Sequence, residues 1–142
     1  MRSDLFDNIN PLPLFEPKAA ITDNTAIVSS IIDTQGYESL TLVLVTGTDA
    51  DADATFAVTL EHGDDSALAD TAAPASTDLI GTLAGAGYTF ASDFKTRKIG
   101  YIGGKRYVRA TVTPTGNTGN VFLAGVAVLG HPRNRPTANP PA

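Results

Sequence analysis

The chain has 142 residues, 42% of them hydrophobic and 18% charged, with a net charge of −5 and no cysteine. That describes one globular domain with room for a core and excludes disulfides, a thiol nucleophile and cysteine-ligated zinc. No apolar run reaches the ~20 residues of a membrane-spanning helix. The charge is unevenly spread: all fifteen acids lie at or before Asp93, whereas residues 94–142 hold eight Lys or Arg and no acid. Either the strands interleave and neutralise one another, or two faces of opposite sign favour association with copies or partners.

In chain order, "MRSDLFDNINPLPLF" sets acids and prolines where a signal peptide needs an uninterrupted apolar stretch, so a soluble, non-secreted product is expected. Pro11, Pro13 and Pro17 break regular structure, yet Leu5, Phe6, Ile9, Leu12, Leu14 and Phe15 are too apolar for a solvated tail. Residues 1–22 are therefore expected to be an extended arm, packed across its own domain or laid on a neighbour. The β body is expected over 23–130. "TAIVSSIID" is β-rich. "ESLTLVLVTG" is apolar on both faces, which predicts a central strand covered on both sides. "TFAVTLEHG" alternates: Phe56, Val58 and Leu60 point one way, Thr55, Thr59 and Glu61 the other, as in a half-buried antiparallel strand.

Residues 63–77 form a surface excursion in which "DDSALAD" has room for one helical turn capped by Asp64 or Asp65. "DLIGTL" and "YTFAS" read as short strands. "RKIGYI" and "RYVRATVT" read as a hairpin joined through Gly103 and Gly104. "VFLAGVAVLG" is a well-buried last strand, with Gly125 marking a bulge or a close backbone approach. Residues 131–142, with four prolines and little apolar content, are expected to be a tail that is disordered or held by a partner. Seven or eight short strands with little helix predict a single all-β sandwich, jelly-roll or related Greek-key.

Chemistry-bearing motifs are sparse. "TGTDADADATF" places Asp49, Asp51 and Asp53 at alternate positions. An EF-hand counted from Asp49 would need Gly where Ala54 stands and Glu where Leu60 stands, so a hairpin tip is expected instead of a metal site. His62 and His131 are the only histidines, and neither sits in a catalytic pattern. "GYIGGKR" lacks the spacing and the Ser or Thr of a P-loop. No enzymatic activity and no cofactor are expected. Lys95, Arg97, Lys98, Lys105, Arg106 and Arg109 crowd fifteen residues with Tyr101 and Tyr107 among them. Such a hairpin suits contact with an acidic protein surface, or a face paired internally. The overall acidity argues against direct nucleic-acid binding.

The segment "FKTRKIGYIGGKRYVRATVTPTGNTGNVFLAGVAVLGHPRNRPT", together with "IIDTQGYESLTLVLVTGTDADADATFAVTLEHGDD", resembles a family of small tailed-bacteriophage virion proteins of the head cement or decoration type. The resemblance runs from about Ala19 to Thr137, and "KTRKIGYIGGKRYVR" is its most specific part. It implies a homodimer or homotrimer, made in the host cytoplasm, that sits on the outer capsid surface and clamps neighbouring major capsid protein subunits. The arm residues Leu5, Phe6, Ile9, Leu12, Leu14 and Phe15, the basic set, and Arg133 and Arg135 of the tail are the expected contacts. Deleting residues 1–16 is then expected to weaken attachment while sparing the fold. A tail-tube or head-completion protein, or a receptor- or glycan-binding virion module, are the alternatives.

Overall fold

The computed structural model describes residues 4–141. The strands are β1 (Ile9–Phe15), β2 (Ile27–Val28), β3 (Ile32–Asp33), β4 (Tyr37–Asp49), β5 (Thr55–Gly63), β6 (Leu79–Ile80), β7 (Tyr88–Thr89), β8 (Thr96–Tyr101), β9 (Tyr107–Thr115) and β10 (Val121–Pro132). One helical turn, α1 (Leu83–Ala86), is capped by the Thr82 hydroxyl accepting from the Gly85 amide. The strands form two antiparallel sheets: β1-β10-β4-β8-β6, and β2-β9-β5-β7 with β3 also paired to β9.

From β4 to β10 every link crosses from one sheet to the other. Leaving aside the two-residue β3 and β6, the orders 1-10-4-8 and 2-9-5-7 are those of a jelly roll, two Greek keys wrapped into a sandwich. The alternating residues explain the layering. Leu42, Leu44, Ile99 and Leu129 project inward from the first sheet and meet Phe56, Val108 and Val112 from the second. Phe56 stacks on Tyr88 with ring centroids 4.4 Å apart.

This topology corrects several expectations. Residues 9–15 are not an arm. They form β1, paired with β10 from Ile9↔Gly130 to Phe15↔Gly125, and Leu14 and Phe15 are buried in the core. Of the two readings of this segment, packing across its own domain is the observed one. A Cβ on Gly125 would lie 2.9 Å from the Phe15 ring, so the glycine makes the seat for Phe15. The stretch 50–54 is not a hairpin tip, because β4 and β5 lie in different sheets. Asp51 accepts from the Thr118 amide and hydroxyl (2.6 and 2.8 Å), and at the end of β4 the Asp49 amide donates to Asp93 (2.9 Å). Hydrogen bonds from Asp53, then from Thr118, hold the Asp51 carboxyl well below the usual range, and Asp53 is raised in turn.

The expected 97–113 hairpin is likewise an inter-sheet crossing, with β8 in the first sheet and β9 in the second. Only Tyr88–Thr89 of "YTFAS" is strand; a 3-10 turn follows. "DDSALAD" makes no helix. Asp65 accepts from the Ala67 amide, and Asp70 accepts from the Asp64 and Asp65 amides, which closes a compact turn around buried Leu68. The tail is tied to its own chain at several points. Residues 131–132 extend β10, the Arg133 amide donates to the Gly36 carbonyl, and Thr137 donates through its amide to Asp7 and through its hydroxyl to Ile9.

Candidate interaction surface

Strand geometry sends successive side chains to opposite faces of a sheet. With Leu40, Leu42 and Leu44 buried, β4 turns Thr41, Val43 and Val45 outward. By the same alternation β10 turns Phe122, Ala124, Val126 and Val128 outward. The register brings these into rows. Pro13, Val126, Val43 and Lys98 stand side by side across four strands. Pro11, Val128, Thr41 and Gly100 form the next row, and β6 adds Ile80 over Gly100. Ala124, Val45 and Thr96 form the row on the other side.

The face ends on two phenylalanines around Gly47. A Cβ on Gly47 would come within 2.9 Å of Phe122 Cβ, so the glycine lets Phe122 lie close over β4. On its other side the Phe94 amide donates to the Gly47 carbonyl (3.3 Å). Phe94 is 79% exposed and sits at φ +52°, a left-handed conformation that bulky residues rarely adopt. Val45, Phe122 and Val126 are 44%, 44% and 39% exposed. Lys98 is the one charged side chain within these rows.

The opposite sheet shows what a solvated face of this fold looks like. Its outward rows pair Thr55 with Thr115, Ala57 with Thr113, Thr59 with Thr111 and Glu61 with Arg109. That is a threonine ladder closed by an ion pair, the polar-out pattern of a sheet in water. One fold thus carries one wetted face and one face of Val, Pro, Ala, Ile and Phe. An apolar patch of this extent, rimmed by polar residues, marks an interaction site.

The fold has distant likenesses. No family model matches the sequence, and no curated protein matches it. Among solved structures the chain is similar to the SPBc2 prophage-derived protein YomS, at 13% identity and TM-score 0.48 over 85% of this chain and 93% of that one. It is also similar to the xylan-binding module CBM15 (10% identity, TM-score 0.40, 94% and 97% covered) and to CBM35 from Cellvibrio japonicus Abf62 (14%, 0.42, 84% and 93%). What they share with this chain is the all-β two-sheet sandwich.

The residues singled out in the sequence fall into separate groups. Of the six apolar residues near the N-terminus, Leu5 and Phe6 are exposed, Ile9 and Leu12 are half-buried, and Leu14 and Phe15 belong to the core and are closed to any neighbour. The six basic residues do not form one patch. Lys95, Arg97 and Lys98 lie at or in β8 on the first sheet, while Lys105, Arg106 and Arg109 lead into β9 on the second. The second group is paired: Lys105 with Asp64, Arg106 through two hydrogen bonds with Asp33, and Arg109 with Glu61. The Arg106 guanidinium holds the Asp33 carboxyl below its ordinary value, and Asp64 raises Lys105. Interleaving of acidic and basic strands is therefore the observed arrangement for these residues. The Arg97 guanidinium donates to Ser92 Oγ and to the Thr96 carbonyl, and among the described residues Lys95 and Lys98 have no acidic partner. Arg133 lies 3.8 Å from Glu38, a contact of little energetic weight at the surface.

Thr137 fastens the tail beside Asp7 and Ile9, so exposed Leu5 and Phe6 share one end of the sandwich with the tail. Leu5 and Arg135 line a common hollow with Thr41 and Val128 there. His62 is buried, with its Nδ1 2.8 Å from the Tyr101 hydroxyl, which accepts from the Lys105 amide. This histidine bridges the two sheets and steadies the 102–106 crossing. Sequence reasoning missed the outward residues of β4 and β10 as a site. Their signal is present in "ESLTLVLVTG", whose two apolar faces predict a strand covered on both sides, whereas one face is left open in the fold.

Proposed function

We propose that this chain is a tailed-phage head protein of the cement or decoration type, which binds the outer capsid surface and clamps neighbouring major capsid protein subunits. The observation that carries the proposal is the uncovered apolar face of the β1-β10-β4-β8-β6 sheet. A module whose work is adhesion needs a rigid body and an exposed apolar surface, and this chain has both. The family resemblance of "KTRKIGYIGGKRYVR" supplies the phage-head context.

The role is mechanical. The jelly-roll body holds its shape, so contacts made at separate patches add up on one lattice, each later contact forming at high effective concentration. The shared end with Leu5, Phe6 and Arg135 offers two apolar anchors and a cation to the shell. Burying a Phe or Leu there contributes about 1.5–3 kcal/mol each. No cofactor, membrane or nucleic acid enters this role.

The test is to mix the purified chain with expanded capsids that lack it and to image the particles. Density repeated over the outer surface, with improved survival on heating, is the expected result. Density at a single vertex or on the tail would replace this reading with a head-completion or tail role. Absence of density anywhere on the particles would remove the phage-head assignment.

A further inference from the structure

We infer that the open face ends in a seat for a carboxylate, and that its occupant is a Glu or Asp side chain of the protein on which this chain docks. This deepens the proposed docking role and rests on it only for the identity of that partner.

The seat follows from one further row of the register. Beyond Pro11, Val128, Thr41 and Gly100, the next outward row is Ile9, Gly130 and Ser39. Gly130 has no side chain, so the row has a gap at its centre, and a Cβ there would lie 2.7 Å from Ser39 Oγ. The gap is the floor of a hollow of about 360 Å³, within the roughly 300–1,000 Å³ of small-ligand sites. Thr41 and Val128 line its side toward the open face. Leu5 and Asn8 near the N-terminus, and His131 and Arg135 of the tail, line the rest. The hollow therefore runs on from the apolar face, and a partner laid on that face also covers its mouth.

The polar groups gathered there are donors. His131 Nδ1 stands 2.9 Å from Ser39 Oγ. Either the hydroxyl donates to the ring or the ring N–H donates to the hydroxyl, so one donor, Nε2–H or O–H, is left for a ligand in each case. His131 holds φ +51°, a left-handed backbone that a non-glycine residue keeps only where its surroundings fix it. Arg135 adds a guanidinium, and among the described residues no acid pairs with it. Asp4, Asp7 and Glu38 are the acids of this end, and none of them lines the hollow. Asp4 accepts from the Asp7 amide, and Glu38 stands 3.8 Å from Arg133.

This set selects a carboxylate on an apolar stem. A planar guanidinium takes two carboxylate oxygens side by side, and neighbouring hydroxyl or imidazole donors add to that grip. Leu5, Ile9 and Val128 form apolar walls that suit the methylenes of a Glu or Asp side chain. A phosphate has no stem to lay against those walls. An amine would meet the Arg135 cation with a like charge.

The probe is sodium butyrate, a carboxylate on a short apolar stem, titrated into the full chain and followed by NMR. Saturable shifts of the His131 ring and of the Leu5 and Val128 methyl groups are expected. Butylammonium at the same concentrations should give none, and inorganic phosphate weaker ones. Arg135→Gln should weaken butyrate at least about tenfold, because a charge-assisted hydrogen bond is lost. Arg135 is exposed, so the melting temperature of this variant should match that of the parent chain. The same variant should attach to expanded capsids at least about tenfold more weakly. Shifts that do not saturate, an equal response to butylammonium, or an Arg135→Gln chain that takes butyrate as well as the parent would overturn the seat. Butyrate binding with capsid attachment untouched by Arg135→Gln would overturn the partner side chain as occupant and reassign the hollow to a free small carboxylate. A chain that decorates capsids but takes no butyrate removes the seat alone, and one that takes butyrate through Arg135 but ignores capsids removes the phage-head reading alone.

Discussion

A chain lacking residues 1–16 is expected to lose its cooperative fold, which corrects the expectation from the sequence that this deletion spares it. Such a truncation removes β1, the strand that completes one edge of the first sheet, together with Leu14 and Phe15. The two side chains alone contribute about 3–6 kcal/mol of burial, against a typical domain stability of about 5–15 kcal/mol. The loss goes further than two side chains. Gly125 is shaped to receive Phe15, so its removal leaves a void on the inner side of β10. The newly bared edge of β10 would offer unpaired backbone groups beside apolar side chains. Phe15→Ala isolates the packing part, with an expected loss of about 3–5 kcal/mol. Urea unfolding followed by circular dichroism checks both. A truncated chain that unfolds at the same urea concentration as the full chain would show that β1 is dispensable.

Phe56→Ala is expected to cost a similar amount on the opposite sheet, about 3–5 kcal/mol. Phe56 is buried and lies nearly parallel to Tyr88, at an interplanar angle of 10°. The short β7 is held to β5 only through Thr55↔Thr89 and Phe56↔Tyr88. Burial pushes the Tyr88 hydroxyl well above its ordinary pKa. Among the described residues that hydroxyl has no hydrogen-bond partner, so the ring is held by packing in the core, with Phe56 stacked on it. Truncating Phe56 would leave a cavity and loosen Tyr88 at once. The readout is again the urea midpoint, with Phe56→Leu as the milder control. A loss under about 1 kcal/mol would mean that neighbouring side chains collapse to fill the space.

The strands were legible where one face was wet. Phe56, Val58 and Leu60 alternate with threonines in β5, and Val108, Ala110 and Val112 do so in β9, and both strands form as that pattern requires. Their sheet partners were not legible. Links of five residues, 50–54 and 102–106, reach across the ~10 Å between packed sheets as readily as they turn a hairpin, so alternation alone cannot tell the two apart. β1 was hidden by Pro11 and Pro13. An edge strand tolerates proline because one side of it has no ladder to complete, and residues two apart share a side.

The candidate surface was half legible. Apolar residues on both faces of β4 predict a central strand covered on both sides; β4 is central in its sheet, but the described chain covers only one of its faces. Which cover was not encoded locally, because no segment of the described chain lies over Val43 and Val126. The basic residues misled for the opposite reason. Sequence proximity grouped six cations that the fold divides between two sheets, and it hid the acids Asp33, Glu61 and Asp64 that pair with three of them. Charge runs report on sequence neighbours, whereas a jelly roll sends each successive strand to the other sheet.

The chain has no cysteine, so a thiol can be placed at one chosen position. We would compare Val126→Cys on the apolar face with Thr59→Cys on the threonine face, each labelled with a thiol reagent at dilute concentration and again when assembled. A covered apolar face predicts that the thiol at position 126 reacts readily in the dilute chain and slowly in the assembly, while the thiol at position 59 reacts alike in both. Equal reactivity at position 126 in the two states would contradict the claim that this face is where the protein assembles.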